Sequence, residues 1–137
     1  MDSAKHFSDG DPAVILFAHG SAVEDANQGV RDLARRIAEA GSYAYVRASF
    51  LGPGQPELGP AIAQAAAAGF CRIVVIPYFL TLGTHLRRDL PRLVAAEKRR
   101  YPHLEIRVGR SLEDHPEMAS LVLSRIREVT EEDRVDP

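Results

Sequence analysis

The feature that most constrains the fold is a fourfold alternation between short apolar runs and segments with helical periodicity. Continuous apolar runs are typical of strands buried on both faces of a sheet, and apolar residues at every third or fourth position are typical of amphipathic helices. The predicted strands cover residues 13–18, 43–51, 72–79 and 104–109, and a predicted helix follows each of them. This order predicts an α/β fold in which right-handed helical crossovers join parallel strands.

The composition of the strands suggests how they are arranged. The second and fourth strands are less purely apolar than the other two, so we expect them at the edges of the sheet. The resulting order is 2-1-3-4, in a four-stranded, mainly parallel sheet with helices on both faces. This three-layer arrangement corresponds to half of a flavodoxin-like fold. Ligands of such sheets bind beyond the carboxyl ends of the strands where the order reverses, which here lies between the first and third strands.

Each of the two loops at this predicted switch point contains a histidine. His19 directly follows the first strand and precedes Gly20, which allows a sharp turn or a close approach to a ligand. His85 follows the third strand, at the start of the next helix. Neutral imidazole is a common ligand of divalent metals, and near neutral pH it also accepts a proton. The two side chains therefore suit a site that handles both metal ions and protons.

Each histidine, taken alone, also fits an ordinary structural role. His19 could cap the following helix or bind a loop carbonyl, and His85 could be a solvated residue at a helix start. Only together, and only with the predicted strand order, do they favour a functional pair. We expect surface or capping roles for the three other histidines, which are His6, His103 and His115.

The sequence lacks other familiar catalytic motifs. It contains no glycine-rich dinucleotide or P-loop motif, and no nucleophile elbow surrounds Ser21. We therefore expect Ser21 to cap the next helix. Arg87 and Arg88 form a basic cluster beside His85. The cluster is either an ordinary charged helix face or a clamp for a ligand with several carboxylates, because guanidinium groups bind carboxylates in a bidentate way.

Length and charge limit the remaining possibilities. The 137 residues predict one compact domain over residues 13–129, between a flexible N-terminal arm at 1–12 and an acidic C-terminal tail at 130–137. A formal net charge of −2 argues against nucleic-acid binding. No apolar run is long enough to cross a membrane, no signal peptide is recognisable, and Cys71 alone forms no internal disulfide. We therefore expect a cytoplasmic protein.

Three motifs together resemble a known family. The first is His19-Gly20-Ser21 with Asn27 in the next helix, and the second is Phe50-Leu51 followed by Pro56. The third and most specific is the pattern PYFL-x-x-G-x-H-x-x-x-D-x-P, which begins at Pro77. The chain resembles the small class II chelatases of siroheme and cobalamin biosynthesis, the CbiX/SirB-type sirohydrochlorin chelatases, from about residue 13 to residue 129.

The resemblance implies that the protein inserts a divalent metal, Co²⁺ or Fe²⁺, into sirohydrochlorin. The metal is then a substrate, and no organic cofactor is expected. The resemblance also implies that His19 and His85 bind the metal and accept protons. We expect the flat, carboxylate-rich macrocycle to contact six residues around them, which are Ser21, Tyr78, Phe79, Leu80, Arg87 and Arg88. Larger members of the family hold two such units in one chain, so we expect a homodimer that completes the tetrapyrrole cleft.

The chain departs from the family pattern at two positions. Gly52 stands where many relatives carry an acidic residue, and the nearest acid, Glu57, is offset. Leu112-Glu113 stands where Leu-Gly is usual, so Glu113 could replace the missing acid. The loss of the acid at Gly52 also favours an alternative, a non-catalytic metal or tetrapyrrole carrier on the same fold.

Overall fold

The computed structural model describes residues 10–135 of the chain. Four strands and four helices alternate along it. The strands are β1 (Pro12–Ala18), β2 (Val46–Phe50), β3 (Arg72–Pro77) and β4 (Glu105–Val108), and the helices are α1 (Glu24–Gly41), α2 (Leu58–Ala67), α3 (Thr84–Arg100) and α4 (Glu117–Val135). All strand pairs are parallel, and the order is β2-β1-β3-β4. The predicted fold class and strand order are therefore confirmed.

The sheet separates two apolar clusters, because successive side chains of a strand point to opposite faces. On one face, Val14 and Leu16 of β1 pack with Val46 and with residues of α1. On the other face lies the larger cluster, which α2 and α3 cover. Its members include Ile15 and Phe17 of β1. We call these two sides the α1 face and the α2/α3 face.

The strand boundaries differ from the predicted ones for local reasons. β2 begins at Val46 and not at residue 43, because the end of α1 occupies the preceding segment. Ser42 is the C-cap of α1 in the left-handed conformation, with φ of 57°, and the Tyr43 N–H donates to the carbonyl of Ala38. β3 ends at Pro77, so Tyr78 and Phe79 belong to the loop that follows and not to the strand.

The two ends of the chain also differ from expectation. Pro12, predicted to lie in the arm, is the first residue of β1. α4 continues past residue 129 to Val135, so most of the predicted acidic tail is helical. The rest of the predicted arm, residues 1–9, and residues 136–137 of the tail lie outside the described residues. Among the helices of residues 10–135, none combines the length and apolar character that crossing a membrane requires.

Candidate active site

The loop after β1 holds His19 at the carboxyl edge of the sheet. Backbone hydrogen bonds continue the β1–β2 ladder beyond the strands, from the Leu51 N–H to the Ala18 carbonyl at 2.9 Å and from the Gly52 N–H to the His19 carbonyl at 3.1 Å. The chain then turns at Gly20, whose φ is +90°. A Cβ at Gly20 would lie 2.1 Å from the Pro53 carbonyl oxygen. Only glycine therefore allows the loop after β2 to press against the backbone next to His19.

Ser21 is held in place by a buried amide and does not cap α1. The side chain of Asn27 accepts a hydrogen bond from the Ser21 N–H and donates one to the Ser21 carbonyl, each at 2.9 Å. Asn27 is one of two buried polar residues among those described. The expected capping role of Ser21 is wrong, because the N-cap residue is Val23. The Ser21 hydroxyl instead accepts the Val23 N–H at 3.0 Å.

The loop after β3 carries Tyr78, Phe79 and Leu80, three of the residues expected to contact the substrate. The Tyr78 N–H donates to the Phe17 carbonyl at 2.7 Å, which fixes the loop to the end of β1. Phe79 is half-buried and makes edge contacts with the rings of Phe17 and His19, with ring centroids 6.1 and 6.4 Å apart. Tyr78 and Leu80 are exposed, Leu80 by 64%. An apolar surface therefore lies next to the imidazole of His19.

His85 lies in the first turn of α3, with Arg88 one turn further along. The Arg88 guanidinium lies 3.3 Å from His85 Nδ1, and because a guanidinium only donates, this nitrogen is the acceptor. His19 has the opposite arrangement, since its Nδ1 lies 3.2 Å from the Gly20 carbonyl oxygen and must donate to it. The free Nε2 of neutral His19 therefore carries a lone pair, whereas the lone pair of neutral His85 points at Arg88. No hydrogen bond or ring contact joins these two exposed imidazoles.

Arg87, predicted beside Arg88 as a substrate clamp, is bound to Glu113. Its guanidinium donates to both carboxylate oxygens, at 3.1 and 3.2 Å, and its Nε donates to the Leu82 carbonyl at 2.8 Å. Glu113 also accepts hydrogen bonds from the Leu82 N–H and the Ser111 hydroxyl. Glu113 is therefore committed to joining α3 to the loop before α4. Sequence reasoning missed this pair, because the two residues lie 26 positions apart.

The carboxyl edge presents the two histidines, and within residues 10–135 they belong to no larger cluster of metal-binding side chains. Among residues 10–135 no group of three His, Cys, Asp or Glu side chains could hold a metal ion. Glu57 is exposed, is the N-cap residue of α2 and forms a single backbone bridge with Phe50 at the end of β2. A separate cleft of about 620 Å³ lies between α3 and the end of β4. Neither His19 nor His85 lines it.

These features define a class: an open parallel α/β domain whose candidate site lies beyond the carboxyl ends of the two central strands. Comparison with known proteins gives the family. The sequence model of the CbiX family matches residues 13–129. The chain belongs to the CbiX family.

Several relatives have known names. The sirohydrochlorin cobaltochelatase of Methanopyrus kandleri is 35% identical over 62% of this chain and 59% of its own length. This chain therefore spans less than two thirds of that relative. The sirohydrochlorin cobaltochelatase of Saccharolobus solfataricus is 31% identical over 84% of this chain and 93% of its own length.

A solved structure confirms the fold. The sirohydrochlorin chelatase SirB from Bacillus subtilis subspecies spizizenii, in complex with cobalt, superposes with a TM-score of 0.79 at 24% identity. The superposition covers 87% of this chain and 51% of SirB. This chain therefore corresponds to about half of that larger protein.

Proposed function

We propose that this protein is a chelatase that inserts Co²⁺ or Fe²⁺ into sirohydrochlorin. The observation that carries the proposal is the placement of the two histidines beyond the central strands: His19 lies in the loop after β1, and His85 lies in the first turn of the helix that follows β3. Membership of the CbiX family and the names of its relatives support the choice of substrate.

The two imidazoles have the properties that metal transfer requires. Insertion replaces two pyrrole protons of the macrocycle by one divalent metal ion. Two histidines without an acidic third ligand bind a metal loosely enough to release it. As the metal passes to the pyrrole nitrogens, the lone pairs it leaves on His19 and His85 become free to accept the two protons.

Arg88 connects substrate binding to the state of His85. In the free protein its guanidinium occupies the Nδ1 lone pair of His85. A carboxylate of the macrocycle competes for the same guanidinium, because charge-assisted pairs are stronger than a hydrogen bond to a neutral ring nitrogen. Binding of the macrocycle would therefore release His85 for the metal.

The other residues of the proposed substrate-binding surface lie at the same edge of the sheet. Phe79 and the exposed side chains of Tyr78 and Leu80 give an apolar wall for the flat ring. Ser21 contributes its backbone, held by Asn27 next to His19. Arg87 contributes by fixing the start of α3 through Glu113, in place of the direct substrate clamp expected from sequence.

The site of one protomer lies open at the sheet edge. We propose that the protein works in the cytoplasm as a homodimer, in which a second copy closes the tetrapyrrole cleft. We propose further that it needs no organic cofactor, nucleic acid or membrane.

Anaerobic incubation of the purified protein with sirohydrochlorin and a panel of Co²⁺, Fe²⁺ and Ni²⁺ tests the proposal. We expect the absorbance change of metal insertion to be faster than in the uncatalysed reaction for Co²⁺ or Fe²⁺. A rate equal to the uncatalysed reaction with every metal would contradict the proposal.

A non-catalytic metal or tetrapyrrole carrier is the second candidate. It is favoured by the absence of a third metal-binding side chain in the described part of the chain. Tight binding of metal or of sirohydrochlorin, without any increase in the insertion rate, would establish the carrier and exclude the enzyme.

A further inference from the structure

The first turn of α3, which carries His85, has few stabilising interactions within its own helix. Its N-cap residue is Gly83, which has no side chain to accept the free N–H groups of this turn, and the turn contains no acidic residue. Pro91 lies inside the helix and has no N–H, so the Arg87 carbonyl lacks the hydrogen bond that a residue at position 91 normally donates. The first turn therefore depends on contacts from outside α3 to keep its position.

Glu113, in the loop before α4, supplies such contacts. Its carboxylate accepts hydrogen bonds from the Leu82 N–H at 3.4 Å and from the Arg87 guanidinium at 3.1 and 3.2 Å. The Ser111 hydroxyl also donates to it, at 3.0 Å. Leu82 and Arg87 lie on either side of His85 in the chain, so one carboxylate holds both ends of the segment that carries this histidine. The Glu113 side chain is only 23% exposed, and a negative charge beside a helix N-terminus is itself stabilising.

The pair between Glu113 and Arg87 lies on the side of α3 away from His85. Successive residues of a helix are about 100° apart, so Arg87 projects about 200° from His85, whereas Arg88 projects only about 60° from it. The contacts agree with this geometry. Arg88 lies 3.3 Å from His85 Nδ1, and Arg87 and Glu113 line the cleft between α3 and β4, which His85 does not line. An effect of Glu113 on the site therefore passes through α3.

We infer that Glu113 is a positioning residue for the chelatase reaction. Through Leu82 and Arg87 it fixes the first turn of α3, and it thereby sets the position of the His85 imidazole relative to His19. The inference rests on the proposed function, in which both imidazoles act on the same metal ion and macrocycle.

The geometry also indicates which kinetic constant depends on Glu113. A displacement of about 1 Å at a reacting group can lower a rate by about 100-fold, and the short side chain of His85 cannot compensate for such a shift. Arg88 has a long side chain with several rotatable bonds and can follow a substrate carboxylate. The aromatic loop keeps its own anchor, because the Leu112 N–H donates to the Phe79 carbonyl at 3.0 Å. Loss of the Glu113 carboxylate should therefore lower kcat and leave KM almost unchanged.

Steady-state kinetics with Co²⁺ and sirohydrochlorin tests this expectation. Glu113→Gln keeps the size of the side chain but removes its charge, and we expect kcat to fall at least about tenfold while KM changes by less than about twofold. Asp114→Asn is the matched control, because Asp114 is exposed, makes no hydrogen bond or ion pair with a described residue, and has a positive φ that asparagine tolerates. It should keep the wild-type kcat. A wild-type kcat in Glu113→Gln, or an equal fall in both variants, would overturn the inference.

A double-mutant cycle tests whether Glu113 acts through Arg87. The cycle compares kcat of Glu113→Gln, of Arg87→Gln and of the double variant, at a temperature where urea unfolding shows all three to be folded. If the two side chains act as a unit, the double variant should be no slower than the slower single variant. Losses in kcat that multiply in the double variant would overturn the inference.

Nuclear magnetic resonance of the metal-free protein tests the position of His85 without any enzymatic reaction. The ring-proton resonances are assigned with the His85→Ala and His103→Ala variants. We expect Glu113→Gln to shift the resonances of His85 and to leave those of His103 unchanged. Unchanged His85 resonances would overturn the inference. A wild type without chelatase activity, in which Glu113→Gln still shifts His85, would overturn the proposed function and leave the positioning of His85 by Glu113 intact.

Discussion

At the scale of single residues, the backbone next to His19 lies in close contact with the Pro53 carbonyl, and only a glycine at position 20 permits this contact. Gly20 combines a positive φ with a backbone neighbour at the distance where a Cβ would clash. The sequence motif indicated a turn at this position. The motif could not predict the contact with the Pro53 carbonyl, because this contact joins two loops that meet only in the folded sheet.

Gly20→Ala should therefore destabilise the protein by about 2 kcal/mol or more, because it adds both strain in φ and a clash with Pro53. Gly29→Ala is a matched control, since a Cβ at this position in α1 meets nothing within 4 Å. It should stabilise the protein by about 0.5–1 kcal/mol through helix propensity. Urea unfolding of both variants measures the difference. Equal free energies of unfolding for the two would contradict the account of Gly20.

Arg88 should influence metal binding and substrate binding in opposite directions. Arg88→Gln removes a cation next to His85, so the affinity of the free protein for Co²⁺ should rise by up to about fivefold, the equivalent of about 1 kcal/mol for unit charges 4 Å apart in water. The same substitution removes a partner for substrate carboxylates, so the KM for sirohydrochlorin should increase. Titration calorimetry and steady-state kinetics measure the two effects.

Arg99→Gln, in the last turn of α3, is the control for charge alone and should change neither quantity appreciably. A fall in Co²⁺ affinity with Arg88→Gln would show that Arg88 supports the metal site and does not compete with it.

At the scale of secondary-structure elements, the sequence predicted the features that depend on local residue patterns, namely the number, type and order of the strands and helices. The apolar runs of β1 and β3 indicated central strands, and the positions of His19 and His85 followed from that order. Boundaries were less predictable, because Ser42 and Tyr43 look like strand residues but complete the hydrogen bonds of α1. The spacing of the apolar residues Val122, Ile126 and Val129 indicated the helix α4 but not that these side chains are exposed, since periodicity is the same whether or not another surface covers them.

The two faces of β3 should respond differently to the same substitution. Val75→Ala removes methyl groups from the fully buried side and should lower the free energy of unfolding by about 2 kcal/mol. Val74→Ala, one residue away on the α1 face, should cost much less, because this side chain is only half-buried. Chemical unfolding of both variants measures this difference. Equal losses would show that the two faces of β3 are equally well covered in solution.

At the scale of the whole molecule, one protomer is an incomplete unit in two respects. Its site lies at an open sheet edge, and apolar residues of α4, among them Val122, Ile126 and Val129, are exposed. Its 137 residues correspond to 51% of the SirB chain on which it superposes. A second copy would complete both the cleft and the core.

The central claim is that His19 and His85 perform metal insertion. The most direct measurement is the initial rate of Co²⁺ insertion into sirohydrochlorin by the wild type, His19→Ala and His85→Ala, with His103→Ala as a control on the exposed turn before β4. We predict that each of the first two substitutions lowers the rate by at least about 100-fold, within the range ascribed to general acid–base catalysis. We also predict that His103→Ala leaves the rate unchanged. Wild-type rates in both His19→Ala and His85→Ala would contradict the account.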